Sequence, residues 1–205
     1  MSSALIVGPS WVGDMIMAQS LFKRLKTQKP DVQLHVLAPK ASLALANRMV
    51  EVSETIEFDV GHGELGLGYR RLMARQLSKK GYEQAIVLPN SFKSALVPFF
   101  ADIPKRTGFR GEYRYGLIND MRLLDKRRMP RMIDRFVTLA KRDDQLPTFS
   151  EYPKLTVDSE RRGILVEALR LETTRPVVGL CPAAEFGDAK RWPKRHFATL
   201  AESLV

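Results

Sequence analysis

The chain holds 205 residues, 44% of them hydrophobic, with a formal net charge of +10 and a single cysteine. That length and apolar fraction suit one large domain, or one domain and part of another, and exclude a disordered low-complexity chain. One cysteine excludes an internal disulfide framework, no apolar run approaches the roughly 20 residues of a membrane span, and no signal-peptide pattern opens the chain, so a cytoplasmic location is expected.

In chain order, "ALIVG" (4–8) reads as a buried strand. Met17, Leu21 and Leu25 then recur at helical spacing until the proline at 30, whose preceding residue is pushed away from helical geometry. "VQLHVLAP" (32–39) is a second strand, "ASLALANRM" (41–49) a short helix, and "TIEFDV" (55–60) a third strand closed by a glycine-rich turn at 61–63. A helix over 66–80 precedes the strand "QAIVLP" (84–89), and "SFKSALVPFF" (91–100) is helical, with Pro98 bending it or ending its regular part. The stretch 105–130 lacks a clean period, "RMIDRFVTLAKR" (131–142) returns to helix, and 143–157 is the best candidate linker. "DSERRGILVEALRL" (158–171) is a helix capped by Asp158 or Ser159; a fresh strand then opens at Arg175, and a last helix begins near Pro193.

Strands alternating with helices predict an α/β fold, a parallel sheet with helices on both faces. Right-handed crossovers bring the strand C-terminal ends to one edge, where the loops at 8–14 and 89–93 would face one crevice. The boundary is expected at 172/173. Residues 1–172 would form a first domain and 173–205 the beginning of a second, since one strand and one helix cannot bury their own apolar faces; the sequence is therefore expected to be a fragment.

Within "GPSWVGD" (8–14) the outer glycines of G-x-G-x-x-G are present, but Ser10 occupies the middle position that lets backbone approach a pyrophosphate, and no P-loop lysine follows. A dinucleotide site, and with it a dehydrogenase, is disfavoured. Asp14 would repel a phosphate. By spacing alone it is either a first-turn acid, favoured by the helix dipole, or a general base aimed into the crevice. Asn90, Ser91 and Lys93 either cap a helix or form a hydrogen-bonding floor for a sugar or anionic group. In "CPAAEFGDAKRWP" (181–193), small residues followed by Lys190 suit a loop that closely approaches a diphosphate. His35, His62 and His196 have no metal-ligand spacing, and Cys181 is expected in the core. Twelve Lys or Arg against four acids fall in 105–142, a local net charge of +8. Such a patch suits a polyanionic substrate, an anionic membrane surface or nucleic acid. Nucleic acid is the weaker option, because aromatic–basic interleaving is confined to Tyr113 and Tyr115.

Three segments, "LIVGPSWVGDMIMAQSL", "VLPNSFKSALVPFFADIPKRTGFRGEYRYGLIND" and "GLCPAAEFGDAKRWP", closely resemble the ADP-heptose:lipopolysaccharide heptosyltransferase II family and occur in its order. The resemblance implies the N-terminal half of a GT-B glycosyltransferase: a Rossmann-like acceptor domain, then the start of the nucleotide-sugar domain. It implies inverting transfer of L-glycero-D-manno-heptose from ADP-heptose to the first heptose of the inner core, heptosyl-Kdo2-lipid A. No metal or further cofactor is implied, and the enzyme would work at the cytoplasmic face of the inner membrane. Asp14 matches the family's catalytic base and Lys190 its donor-diphosphate lysine, with Ala184 and Glu185 beside it. Ser10, Trp11, Asn90, Ser91, Lys93, Arg110 and Arg114, with Arg106 nearby, match the acceptor-facing region. The remaining alternative is a non-enzymatic Rossmann-like module whose basic patch binds nucleic acid.

Overall fold

The computed structural model describes residues 2–60, 64–140, 151–184 and 187–204. Six parallel strands, β1 (Ser3–Val7), β2 (Gln33–Ala38), β3 (Glu54–Glu57), β4 (Gln84–Val87), β5 (Lys105–Phe109) and β6 (Asp120–Arg122), lie in the order β3-β2-β1-β4-β5-β6. This is the Rossmann-type doubly wound order, with its reversal between β1 and β4. The two-residue period of each strand sorts its side chains between two cores. Ala4 and Ile6 of β1 face α1 (Val12–Gln28), α2 (Lys40–Ala46) and α5 (Met132–Thr138). Leu5 and Val7 face α3 (Leu67–Ser78) and α4 (Leu96–Phe100).

The stretch without a clean period holds two strands, β5 and β6. Charged and small residues mask them: "KRTGF" has only its last position apolar, yet Thr107, Gly108 and Phe109 are buried. Polar bonding replaces apolar contact there. Gln84 Nε2 donates to Thr107 Oγ1 at 2.7 Å, and that hydroxyl donates to Asp120 Oδ2 at 2.8 Å, so one relay crosses β4, β5 and β6. Over 91–100 the change of pitch falls before Pro98: a 3-10 turn (Phe92–Ala95) passes into α4, and Pro98 occupies its first turn, where a missing N–H loses no bond.

Residues expected to be linker pack instead on α1. Buried Gln19 donates to Lys154 O at 2.9 Å and to Glu51 Oε2 at 3.0 Å, and accepts from Lys154 N at 2.7 Å. Lys23 Nζ donates to Tyr152 O, and Thr156 bonds Arg48 O through both its amide and hydroxyl. The turn at 61–63, the end of the helix at 141–142 and linker residues 143–150 lie outside the described residues.

The chain divides into compact units Met1–Val157 and Asp158–Val205. In the second, Asp158 caps α6 (Ser159–Ala168) by accepting from Arg161 N at 2.9 Å. A 3-10 turn (Asp188–Lys190) precedes α7 (Lys194–Glu202). The strand expected from Arg175 does not form among the described residues: a strand exists only in a ladder, no segment pairs with this one, and Val177 and Val178 are exposed. Cys181 is likewise exposed and not in a core, for want of a second apolar layer over that segment.

Candidate functional site

At the C-terminal edge of the sheet, where the strand order reverses, a cleft of about 760 Å³ opens within the first unit. Val7 and Gly8 after β1, Leu37 and Ala38 of β2, and Leu88 after β4 form part of its wall. Parallel strands place their C-terminal loops here because each helical crossover starts from that edge.

Ser10, Trp11 and Asp14 line one side of the cleft, and Asn90, Ser91 and Lys93 line it from the β4 loop. Trp11 is the N-cap residue of α1 with no side-chain cap bond, so Asp14 stands at the third helical position. Asp14 is half-buried, and among the described residues nothing bonds its carboxylate. Burial raises its pKa above the ordinary aspartate value. The helix N-terminus pulls the other way but does not cancel the desolvation. The outcome is a more basic carboxylate than a solvated one.

Neither glycine of the loop adopts a positive φ. At Gly8 a Cβ would meet Met15 Cε at 2.7 Å and Ala38 Cβ at 3.2 Å, so its absence lets β1 exit against α1 and β2. Gly13 has open space around it. The loop thus owes its shape to close packing at Gly8, not to two turn glycines.

Four cations also border the cleft: Lys93; Lys126 and Arg135, both of the basic stretch 105–142; and Arg70, which no sequence signal singled out. Arg70 is buried, donates from Nε to Leu65 O at 2.7 Å and lies 5.2 Å over the Phe58 ring. Arg135 donates to Met129 O at 2.8 Å and Pro130 O at 2.9 Å. Arg70 escapes a linear reading because α3 brings it to the cleft from a segment that carries no motif of its own. Two acceptor-side residues are not in the cleft lining. Arg110 is exposed elsewhere. Arg114 is completely buried, and its guanidinium bonds protein oxygens, which rules out direct ligand contact. Arg106 similarly donates to Leu117 O, Ile103 O and Gly116 O.

In the second unit, Lys190 ends the 3-10 turn after Gly187, whose φ of 88° places it in left-handed geometry. Its ammonium makes no bond among the described residues. Arg191, which had no expected role, donates to Ala184 O at 3.2 Å and Asp188 Oδ1 at 3.3 Å, tying the loop together. Glu185 lies outside the described residues. Among the described residues no cluster of three or more His, Cys, Asp or Glu side chains could hold a metal, and no helix is long and apolar enough to cross a membrane.

Residues 70–205 match the family model described as glycosyltransferase family 9 (heptosyltransferase). The chain is 48% identical over 207 residues to lipopolysaccharide heptosyltransferase 2 of Salmonella typhimurium, and 48% identical to that of Escherichia coli; the match covers 98% of this chain and 60% of each relative. A solved structure of E. coli ADP-heptose lps heptosyltransferase II superposes with a TM-score of 0.88 at 45% identity, over 100% of this chain and 61% of that one. The chain thus spans about 60% of the length of these relatives.

Proposed function

Because the chain belongs to glycosyltransferase family 9, the heptosyltransferases, we propose that the whole protein transfers L-glycero-D-manno-heptose from ADP-heptose to the first heptose of heptosyl-Kdo2-lipid A, with inversion. The observation that carries this reading is Asp14: a half-buried, unpaired carboxylate in a cleft bordered by Arg70, Lys93, Lys126 and Arg135. Cations attract the phosphates and acidic sugars of an inner-core acceptor. The acceptor hydroxyl oxygen attacks the anomeric carbon, the bond from that carbon to the diphosphate oxygen breaks, and the hydroxyl proton passes to Asp14. ADP leaves with the electron pair, and the unbonded Lys190 ammonium supplies charge for its diphosphate. The names of the relatives support ADP-heptose as donor and lipopolysaccharide as the class of acceptor, the E. coli protein being an ADP-heptose lps heptosyltransferase. No further cofactor is needed for this displacement.

The reading places the protein in the cytoplasm, peripheral at the inner face of the inner membrane. Exposed Arg110, Lys126, Arg127 and Arg128 support docking to an anionic membrane surface. In the intact enzyme, Asp14→Asn is expected to lower turnover about 10²–10⁴-fold, the range for a general base, while ADP binding is unchanged. Heptose-transfer assays beside ADP titration calorimetry check this, and near-normal turnover would remove the assignment.

A further inference from the structure

Arg114 carries a cost that calls for a return. It is completely buried, and burial lowers its pKa against the pull of Glu112. Isolated buried charge is unfavourable unless several hydrogen bonds offset it. Nη1 donates to Pro89 O at 2.8 Å and Ser94 Oγ at 3.3 Å; Nη2 donates to Asn90 Oδ1 at 3.2 Å and to Phe109 O. Three of these four partners belong to the β4 loop that lines the cleft. The neighbouring residues serve the same loop. Glu112 Oε2 accepts from Phe92 N at 2.6 Å, replacing the side-chain cap that Ser91 does not make, and Gly111 lies so near Asn90 O that a Cβ would stand 3.3 Å from it. Glu112 and Tyr113 both hold left-handed backbone, with φ of 43° and 53°, strain that persists only when the surroundings impose it.

Arginine only donates hydrogen bonds, so the Asn90 oxygen must face Arg114 and the amide NH2 is turned away from it. Asn90 is exposed and lines the cleft, and nothing described bonds its Nδ2. We propose that Arg114 is a positioning residue that fixes the Asn90 amide so that its NH2 is presented to the cleft as a hydrogen-bond donor to an oxygen of the acceptor sugar. This rests on the heptosyltransferase reading for the identity of the acceptor. Arg114 divides its donors between Nη1 and Nη2, a planar fork that the single ammonium nitrogen of a lysine does not reproduce.

The test uses the full-length protein and a deacylated heptosyl-Kdo acceptor, by calorimetric titration and by kinetics. Asn90→Asp keeps an oxygen for Arg114 but replaces the donor by an acceptor. It is expected to weaken acceptor Kd and raise acceptor KM about tenfold or more, with the ADP-heptose KM and Tm unchanged, the pattern of lost substrate binding. Arg114→Lys, which retains the charge, is expected to weaken acceptor binding similarly, and adding Asn90→Asp to it should cost little more. Unchanged acceptor affinity in Asn90→Asp, or independent effects of the two substitutions, overturns the proposal. So does an Arg114→Lys protein that only loses Tm. Wild-type protein that binds the acceptor but transfers no heptose overturns the functional reading alone; wild-type protein that does not bind it overturns both.

Discussion

Asp14 carries opposite demands for chemistry and for stability. Its folded pKa lies above the unfolded value, so its stabilising contribution is complete only below the unfolded pKa and is lost as pH rises through the folded one. At neutral pH the ionised carboxylate therefore costs stability. Asp14→Asn is expected to raise Tm at pH 7, by an increment that shrinks on acidification towards the ordinary carboxylate range, as thermal melts across that interval would report. Turnover should fall on acidification with an apparent pKa above that of a solvated aspartate, because only the ionised form takes a proton. The two loop glycines part in the same way between appearance and role. Gly13→Ala is expected to be neutral or to stabilise by up to about 1 kcal/mol, since it adds a methyl into open space in the first turn of a helix. Gly8→Val should destabilise by about 1–3 kcal/mol, because it drives bulk into Met15, Ala38 and Val36. Denaturant titration of both variants decides it. Sequence exposed Asp14 because a carboxylate at a strand-to-helix turn is chemically conspicuous. It could not separate Gly8 from Gly13, since the neighbours that distinguish them come from α1 and β2.

Among the elements, the first four strands and α1 to α3 were legible because apolar periodicity and turn residues agreed. β5 and β6 were not, because a strand whose neighbours are held by Arg106, Thr107 and Asp120 shows no apolar alternation. The 151–156 segment was read as linker for the converse reason: its backbone groups are satisfied by side chains of α1, a relation invisible to local pattern. Gln19 is the centre of that attachment. Gln19→Ala leaves Glu51 without this donor and Lys154 without both of its backbone partners, and is expected to cost roughly 1–3 kcal/mol. Urea unfolding would measure it, and limited proteolysis should cut sooner near Tyr152.

Over the whole molecule, the cations of the basic stretch divide between those engaged within the protein and those turned to solvent. Of the cations in 105–142, Arg106 and Arg114 hold backbone carbonyls, and Lys105, Arg122 and Arg131 pair with Asp120 or Asp134. Exposed Lys126, Arg127, Arg128 and Arg110 are left to act at longer range. Binding of the intact protein to anionic vesicles is therefore expected to fall steeply between about 0.05 and 0.2 M salt, where the Debye length shrinks towards 8 Å. Neutral phosphatidylcholine vesicles should bind little at either salt, and sedimentation with both lipids checks the pair. In the second unit no described side chain is buried, whereas in the first both sheet faces are. The attachment of 151–156 to α1 also sets an order of events in time. Its bonds join residues up to 135 positions apart, and at about 5–20 residues per second a ribosome delivers Lys154 on the order of ten seconds after Gln19. Throughout that interval the polar edge of α1 that ends up beneath this segment stays open, so a nascent chain stalled before residue 151 should present to solvent both Gln19 and Ser20, whose hydroxyl donates to Glu151 O in the folded protein.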